Sequence, residues 1–308
     1  MKYAYYPGCA AKGAAPELHQ ATLKVVERLG IEIVEIDNFN CCGAGVITEA
    51  DPDLAYLLNA KTLATAEALG LDIMTVCGTC QGTLGGMNKA LQKDTALRNR
   101  INISLKEATG LEYRGAVSVK HLQWILVKDY GLEALERAVV RPLGKLAIAP
   151  FYGCYILRPA SAVGFDDWEN PQSLERLIKA LGATPVAYDG RTKCCGFPVF
   201  LEKEEIALQM VGSRVSEARD KKANAMVTPC PLCHMSLDIY QERAEEKRER
   251  GQKGVETSMP ILHLPQLLGL ALGFTSKDLG MKRHFVSTTS IDDQLGVEWT
   301  SCASKQIY

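Results

Sequence analysis

The sequence predicts an α/β fold made of two pseudo-symmetric duplicated domains, each with βα units and cysteine-bearing turns at strand ends. Three observations lead there. The cysteines fall into two sets with matching gaps, the segments around them correspond in kind, and short apolar runs alternate with longer helical patterns in each half. The first set, Cys9, Cys41, Cys42, Cys77 and Cys80, spells C-x31-CC-x34-C-x2-C. The second, Cys154, Cys194, Cys195, Cys230 and Cys233, spells C-x39-CC-x34-C-x2-C. Ten of the eleven cysteines are accounted for, and corresponding segments of the two halves lie 142–153 residues apart, a period too long for a solenoid.

The elements follow in order. KYAYYPG precedes Cys9 and LAIAPFYG precedes Cys154, each a short strand running into a glycine turn. VVERLG and LIKALG are matching helix ends closed by Gly30 and Gly182. Both CC pairs are followed by glycine, Gly43 and Gly196. IMTV leads into Cys77 and AMVTP into Cys230. VSVKH ending at His121 resembles MPILH ending at His263, and an apolar helical stretch follows each. Helices are expected over 15–29, 51–69 and 79–91, and over 171–181, 202–220 and 232–248, with Pro16 and Asp51 as start signals and Gly30 and Gly70 as stops. The domains are therefore 1–143 and 144–275. Residues 241–253 are charge-dense and read as a solvated helix end and loop, and residues 276–308 read as a polar C-terminal tail, ordered only against a partner or not at all.

Composition bounds the function. The chain has 308 residues, 47% hydrophobic and 23% charged, which is enough to bury a sizeable core. Thirty-five Lys and Arg balance 36 Asp and Glu, so nucleic-acid binding driven by bulk charge is not expected. Lys2, Pro7, Gly8 and Lys12 interrupt any signal-peptide core. The longest apolar stretch, 261–274, contains His263, Pro265 and Gln266 and reads as a core segment, so no membrane span is expected. These features predict a cytoplasmic protein, where clustered cysteines serve as metal ligands or redox groups more often than as structural disulfides.

A tetrahedral zinc site needs four ligands, and each set offers five. Side chains of an adjacent CC pair diverge, which suits an object with several metal atoms. Soft thiolates without paired histidines favour iron–sulfur chemistry, yet the C-x2-C-x2-C run of cubane ferredoxins is missing. The spacing therefore argues for an unusual five-thiolate iron–sulfur cluster in each half. Zinc, disulfides and a thioredoxin-like pair are the weaker readings, the last because it leaves three cysteines of each set unexplained. Gly43-Ala-Gly45 lacks a third glycine and lies on a CC turn, so it is no dinucleotide fingerprint.

Together with FYGCYILRP (151–159), GFDDWENP (164–171), TPCPLCH (228–234) and the closing 263–273 segment, this pattern resembles the duplicated CCG cysteine-rich domains of the heterodisulfide reductase B-subunit family, over essentially residues 1–274. The resemblance implies one non-cubane [4Fe-4S] cluster per half. The first would be held by Cys9, Cys41, Cys42, Cys77 and Cys80, the second by Cys154, Cys194, Cys195, Cys230 and Cys233. It further implies that a disulfide is cleaved or formed between the two clusters. The implied partners are a ferredoxin-type iron–sulfur subunit, a flavin-containing subunit of the same complex, and a small disulfide, thiol or lipoyl-carried sulfur compound. The halves depart from one another at the first gap and after the CC pair, GAGV against GFP, so their clusters need not share one role. The domain also recurs in sulfur-oxidising complexes, in an atypical succinate dehydrogenase subunit and in glycolate- and lactate-oxidising iron–sulfur proteins. The alternative is therefore an electron-transfer or docking subunit without disulfide chemistry.

Other residues carry weaker signals. Lys193 beside Cys194, and Arg158 four residues after Cys154, could offer positive charge to an anionic substrate or to reduced clusters. His234, next to Cys233, could bond a cluster sulfur or protonate a leaving thiolate, or simply hold a backbone group. The repeat-equivalent His121 and His263 are expected to fix strand-to-helix turns. Pro229 and Pro231 stiffen the CxxC turn, and Trp124 and Trp168 are packing or interface residues. Cys302 has no repeat counterpart and is not expected to be a ligand.

Overall fold

The computed structural model describes residues 1–249 and 258–296. The first half runs β1 (Lys2–Tyr6), α1 (Gly8–Lys12), α2 (Pro16–Arg28), β2 (Glu32–Glu35), α3 (Val46–Ala50), α4 (Pro52–Ala68), β3 (Ile73–Thr75), α5 (Gly78–Lys93), α6 (Thr95–Thr109), β4 (Val119–His121), α7 (Leu122–Trp124) and α8 (Leu132–Ala138). The second runs β5 (Ala147–Pro150), α9 (Ala160–Val163), α10 (Ser173–Ala180), β6 (Thr184–Pro185), α11 (Glu204–Asp220), β7 (Ala225–Thr228), α12 (Pro231–Ile239), α13 (Gln241–Glu249), β8 (Ile261–His263), α14 (Leu264–Ala271) and α15 (Thr289–Leu295). Each half is a four-stranded parallel sheet, in the orders β2-β1-β3-β4 and β6-β5-β7-β8. The registers correspond: Thr75 pairs with His121 as Thr228 pairs with His263. The expected α/β duplication is thus present, strand for strand.

Local chemistry explains the elements. Parallel strands with helices on both faces must be apolar throughout, and β3 and β7 are buried at every position. Prolines open α2, α4, α12 and α14, where the missing N–H costs nothing. Asp51 and Asp94 accept from the N–H groups of Leu54 and Leu97, at 3.0 and 2.9 Å, and cap α4 and α6. Two apolar clusters fill the molecule, and each draws on both halves: Leu122 and Leu177 lie in one, Leu84 and Val211 in the other.

Three elements differ from expectation. No sequence pattern predicts α6; of its apolar residues only Ile101 and Leu105 are buried, too few for a strong periodicity. The helix expected over 232–248 is interrupted at Tyr240, whose ring stacks on Phe200 at 4.0 Å. Residues 276–296 are not an unattached tail. Leu279, Met281 and Ile291 are buried, Gln20 Nε2 donates to Asp278 O at 2.7 Å, and Asp238 accepts from the N–H groups of Phe285 and Val286 at 2.7 and 3.2 Å. The segment therefore ties α2 of the first half to α12 of the second. Cys302, and the end of the charge-dense stretch at 250–253, lie outside the described residues. The 261–274 stretch is a core segment, as β8 and the wholly buried α14.

Candidate metal centre

The strand order decides where ligands can gather. In each sheet the first strand lies between its two successors, so loops leaving its C-terminal end and that of the third strand diverge and open a crevice. Cys9 follows β1, the pair Cys41 and Cys42 follows β2, and Cys77 follows β3. Cys154, the pair Cys194 and Cys195, and Cys230 follow β5, β6 and β7 in the same way. The topology therefore collects all five cysteines of each set at one end of its sheet.

Their sulfurs touch in sequence. Cys9 Sγ lies 3.7 Å from Cys41 Sγ, and further thiol contacts run Cys41–Cys42, Cys42–Cys80 and Cys80–Cys77. The second set repeats the chain as Cys154–Cys194, Cys194–Cys195, Cys195–Cys233 and Cys233–Cys230. A Cys77–Cys230 contact joins the two. In both sets the CxxC pair and the second member of the CC pair are buried, whereas the first cysteine and the first member of the CC pair are partly or fully exposed. Glycines make room. A Cβ on Gly8 would lie 3.1 Å from Cys80 Sγ, and one on Gly153 would lie 2.8 Å from Cys233 Sγ. After each CC pair a left-handed glycine turns its N–H onto the first sulfur: Gly43 to Cys41 at 3.5 Å, Gly196 to Cys194 at 3.4 Å.

Crowded thiols compete for protons. Hydrogen bonds from Cys42 and then Cys9 push Cys41 down to about 2, while bonding to Cys41 pushes Cys42 up to about 11. Cys194 falls to about 2 through Cys154 and Cys195, and Cys195 rises to about 12 through Cys194. Cys230 is lowered as well, by Cys233 and then Cys77, so neighbouring thiols favour the thiolate at Cys41 in the first set and at Cys194 and Cys230 in the second. The ten cysteines among the described residues are free thiols gathered in two sets, and with Gly8 and Gly153 making room beside Cys80 and Cys233 they suit a soft multinuclear metal cluster in each half.

The two sets meet at the seam between halves. Gly78 N donates to Pro229 O at 3.1 Å, and Gly78 lies so close to Cys230 and Ile156 that a Cβ would stand 3.3 Å from each of theirs. His121 Nδ1 accepts from Gln123 N at 3.0 Å, which leaves Nε2–H to donate to Pro229 O at 2.9 Å. Burial lowers this histidine to about 4, so it stays neutral. Its expected turn-fixing role holds, and His263, at the start of α14, forms the corresponding capping box with Gln266.

Arg158 and Lys193 are exposed on the rim of the second set. Arg158 Nη1 donates to Thr192 O at 3.5 Å, and its guanidinium lies 5.7 Å from the Trp168 ring centre. His234 is buried elsewhere: its ring stacks on His263 at 3.7 Å and meets His284 edge-on at 4.7 Å, and its Nε2 has no partner among the described residues. Besides these histidines it bonds the Ile261 backbone, the backbone-holding alternative, and no contact with a cysteine sulfur is described. Glu17, His234 and His263, and also His234, Asp238 and His284, gather within 4.8 Å. Stacked rings 19° from parallel direct their in-plane lone pairs side by side, so one ion cannot lie in the planes of both His234 and His263. Sequence patterning misses Tyr155. It is half-buried, its phenol is pushed up first by burial and then by neighbouring groups of both sets, and its backbone lies against Gly82 of the first half, so it stands between the two sets. The available signal is the contrast between Ala10 after Cys9 and Tyr155 after Cys154.

Comparison with known proteins follows the same lines. Residues 3–85 and 148–238 each match the CCG cysteine-rich domain family. The chain is 37% identical over 94% of its length to the 8-methylmenaquinol:fumarate reductase membrane anchor subunit of Wolinella succinogenes, 99% of which is covered. It is 32% identical over 92% of its length to the B subunit of the ferredoxin/F420H2-dependent CoB-CoM heterodisulfide reductase of Methanosarcina acetivorans, 94% of which is covered. A crystal structure of a hypothetical protein from Helicobacter pylori superposes with a TM-score of 0.71 at 16% identity, over 93% of this chain and 52% of that one, and shares the fold. Among the described residues no helix is long and apolar enough to cross a membrane.

Proposed function

Because the chain belongs to the CCG cysteine-rich domain family, we propose that it is an iron–sulfur oxidoreductase subunit of the heterodisulfide reductase type, acting on a disulfide between its two halves. The observation that carries this reading is the pair of complete five-cysteine sets joined at Cys77 and Cys230. Cys9, Cys41, Cys42, Cys77 and Cys80 would hold one non-cubane [4Fe-4S] cluster, and Cys154, Cys194, Cys195, Cys230 and Cys233 the other. When bound, these groups supply electrons and a Lewis acid for sulfur. Cleaving R–S–S–R′ consumes two electrons and two protons and releases two thiols; formation runs in reverse.

The chain's own residues bind and orient. Two exposed cysteine positions, Cys9 and Cys41, and two half-buried ones, Cys154 and Cys194, mark the side from which a small disulfide would enter. Arg158 and Lys193 on that rim offer positive charge to an anionic substrate or to a carrier-bound sulfur compound. Tyr155, whose phenol keeps its proton at neutral pH, is positioned to donate to a departing thiolate. His234 supports α12 behind Cys233 through its ring stack. Electrons come from or go to a partner, for which a ferredoxin-type and a flavin-containing subunit are the proposed candidates.

Anaerobically purified chain should carry about eight iron atoms, four per set, with matching sulfide. Full-iron protein should then reduce a disulfide from reduced viologen, with the heterodisulfide of coenzymes M and B and lipoyl-type disulfides as probes. A chain without iron sinks the reading. The Wolinella relative favours a second one, an electron-transfer subunit of a dicarboxylate-linked complex with no disulfide chemistry. Full iron with no disulfide turnover, and restored electron flow on adding a flavin subunit with fumarate, would select it.

A further inference from the structure

The two cysteine sets match sulfur for sulfur except at the seam, where one hydroxyl belongs to one side only. Thr79, inside the first CxxC (Cys-Gly-Thr-Cys), reaches across with Oγ1 3.3 Å from Cys230 Sγ of the second set. The corresponding residue of the second CxxC (Cys-Pro-Leu-Cys) is Leu232, which has no polar hydrogen to return to Cys77. We propose that Thr79 donates a hydrogen bond to the Cys230 sulfur and thereby holds the second cluster at a higher reduction potential than the first. This rests on the reading that each set carries an iron–sulfur cluster.

A ligand thiolate offers only lone pairs, so the hydroxyl must be the donor. Thr79 is 7% exposed and Cys230 3%, so the bond lies in a low-dielectric seam where water cannot replace it. Reduction by one electron raises the negative charge on the cluster and its ligand sulfurs. A fixed donor stabilises the reduced state more than the oxidised one, and Thr79 keeps its proton throughout. The geometry is enforced from behind. Gly78 N–H and His121 Nε2–H both donate to Pro229 O, at 3.1 and 2.9 Å, and clamp the residue before Cys230 against the first half.

The other donors are balanced between halves. Gly43 and Gly196 serve Cys41 and Cys194 alike. Cys80 N donates to Cys77 Sγ at 3.4 Å, and the backbone of Cys233 bonds Cys230 in the same manner. Cationic side chains beside the second set act in the same direction: Arg214, with Nε 3.4 Å from Cys194 O, and the exposed Arg158 and Lys193 on its rim. Removing the hydroxyl should therefore narrow the gap between the two potentials without closing it.

The test is a redox titration of the full-length, iron-loaded chain with dithionite, read by absorbance and electron paramagnetic resonance, in wild type, Thr79→Val and Thr79→Ser. Wild type should show two separate midpoints. T79V should lower the higher one by about tenfold in its one-electron equilibrium, about 59 mV, and leave the other in place. T79S keeps the hydroxyl and should keep the wild-type gap. If T79V fails to load iron, Thr79→Ala reads the same gap with a smaller side chain. Two coincident midpoints in wild type, or an unchanged gap in iron-replete T79V or T79A, overturn the assignment. Absence of iron from wild type instead overturns the cluster reading on which it rests.

Discussion

Glycines around the sulfurs separate two demands that one residue can serve, backbone angle and space. Gly153 has φ +71° and no room beyond it, since a Cβ would lie 2.8 Å from Cys233 Sγ; Gly30 has φ +65° with nothing within 4 Å. Gly153→Ala should therefore lose iron from the second set, whereas Gly30→Ala should cost only the backbone term of about 1–2 kcal/mol and leave iron content unchanged. Equal iron in both variants would show that the space beside Cys233 is not reserved for ligation. A second residue-scale expectation concerns pH. Burial lowers His284 to about 3, so between about pH 6.5 and 3 the unfolded chain binds the proton that the folded chain refuses. Stability from this group is full above pH 6.5 and is lost as pH falls through that window, by at most about 1.4 kcal/mol per pH unit. His121, His234 and His263 are also lowered and pull the same way, while Asp238, raised to about 6 by burial, gains as pH falls through that value and opposes them. Unfolding midpoints of wild type and His284→Asn between pH 7 and 5 should show a flatter slope in the variant. Acid loss of iron is common to both and cancels in the comparison; parallel slopes would remove His284 from the account.

At the scale of elements, the contact that orders residues 276–296 centres on Gly269 of α14. A Cβ there would meet Leu279 Cδ2 at 2.3 Å, so the missing side chain is what lets Leu279 lie down on the helix. Gly269→Ala should cost about 1–3 kcal/mol by overpacking, and Leu279→Ala about 2–5 kcal/mol by leaving a cavity. The double variant should cost less than their sum, because the added methyl occupies space the leucine vacated. Strict additivity in denaturant titrations would mean that the two do not meet. This segment also marks where sequence reasoning stops. Repeated cysteine gaps, glycine turns and apolar strands make the two sheets and the ligand-bearing turns legible, because each is set by local spacing. Residues 276–296 carry few apolar side chains and are ordered by partners far away in the chain, Gln20, Asp238 and Gln266, which no local pattern announces. The same limit hides α6, whose buried face is two residues wide, and the seam contacts of Tyr155 and Thr79, which exist only once the halves are apposed.

For the whole molecule the question is what holds two similar halves so that their sulfurs meet at one point. Both apolar clusters cross the boundary, but apolar burial is non-directional and does not fix a register. The register comes from α5 of the first half, along which the loop after Cys154 passes. Gly78 accommodates Ile156 and Cys230, and Gly82, one turn on, accommodates Tyr155: a Cβ on Gly82 would lie 2.6 Å from Tyr155 O and 3.0 Å from its Cδ1. A backbone carbonyl cannot step aside as a side-chain tip can, so Gly82→Ala must push the loop of the second half off the helix of the first. Gly85 stands on the same helix, but its Cβ would meet only the Nε2 end of Gln81 at 3.1 Å, which can move. Gly85→Ala should therefore be neutral or stabilising by up to about 1 kcal/mol from helix propensity, while G82A should lose about 1–3 kcal/mol. Both replace a buried glycine of α5 with alanine, so propensity cancels between them and the difference reports the seam. G82A should also disturb both sets together, since Cys77 and Cys80 are carried by the helix and Cys154 by the loop. Calorimetry and the iron content of each variant measure the two effects. If G82A proves as stable and iron-replete as G85A, the halves are not registered through the Gly82–Tyr155 contact, and the Cys77–Cys230 contact must be held by the Gly78 and His121 hydrogen bonds to Pro229 together with the shared apolar clusters.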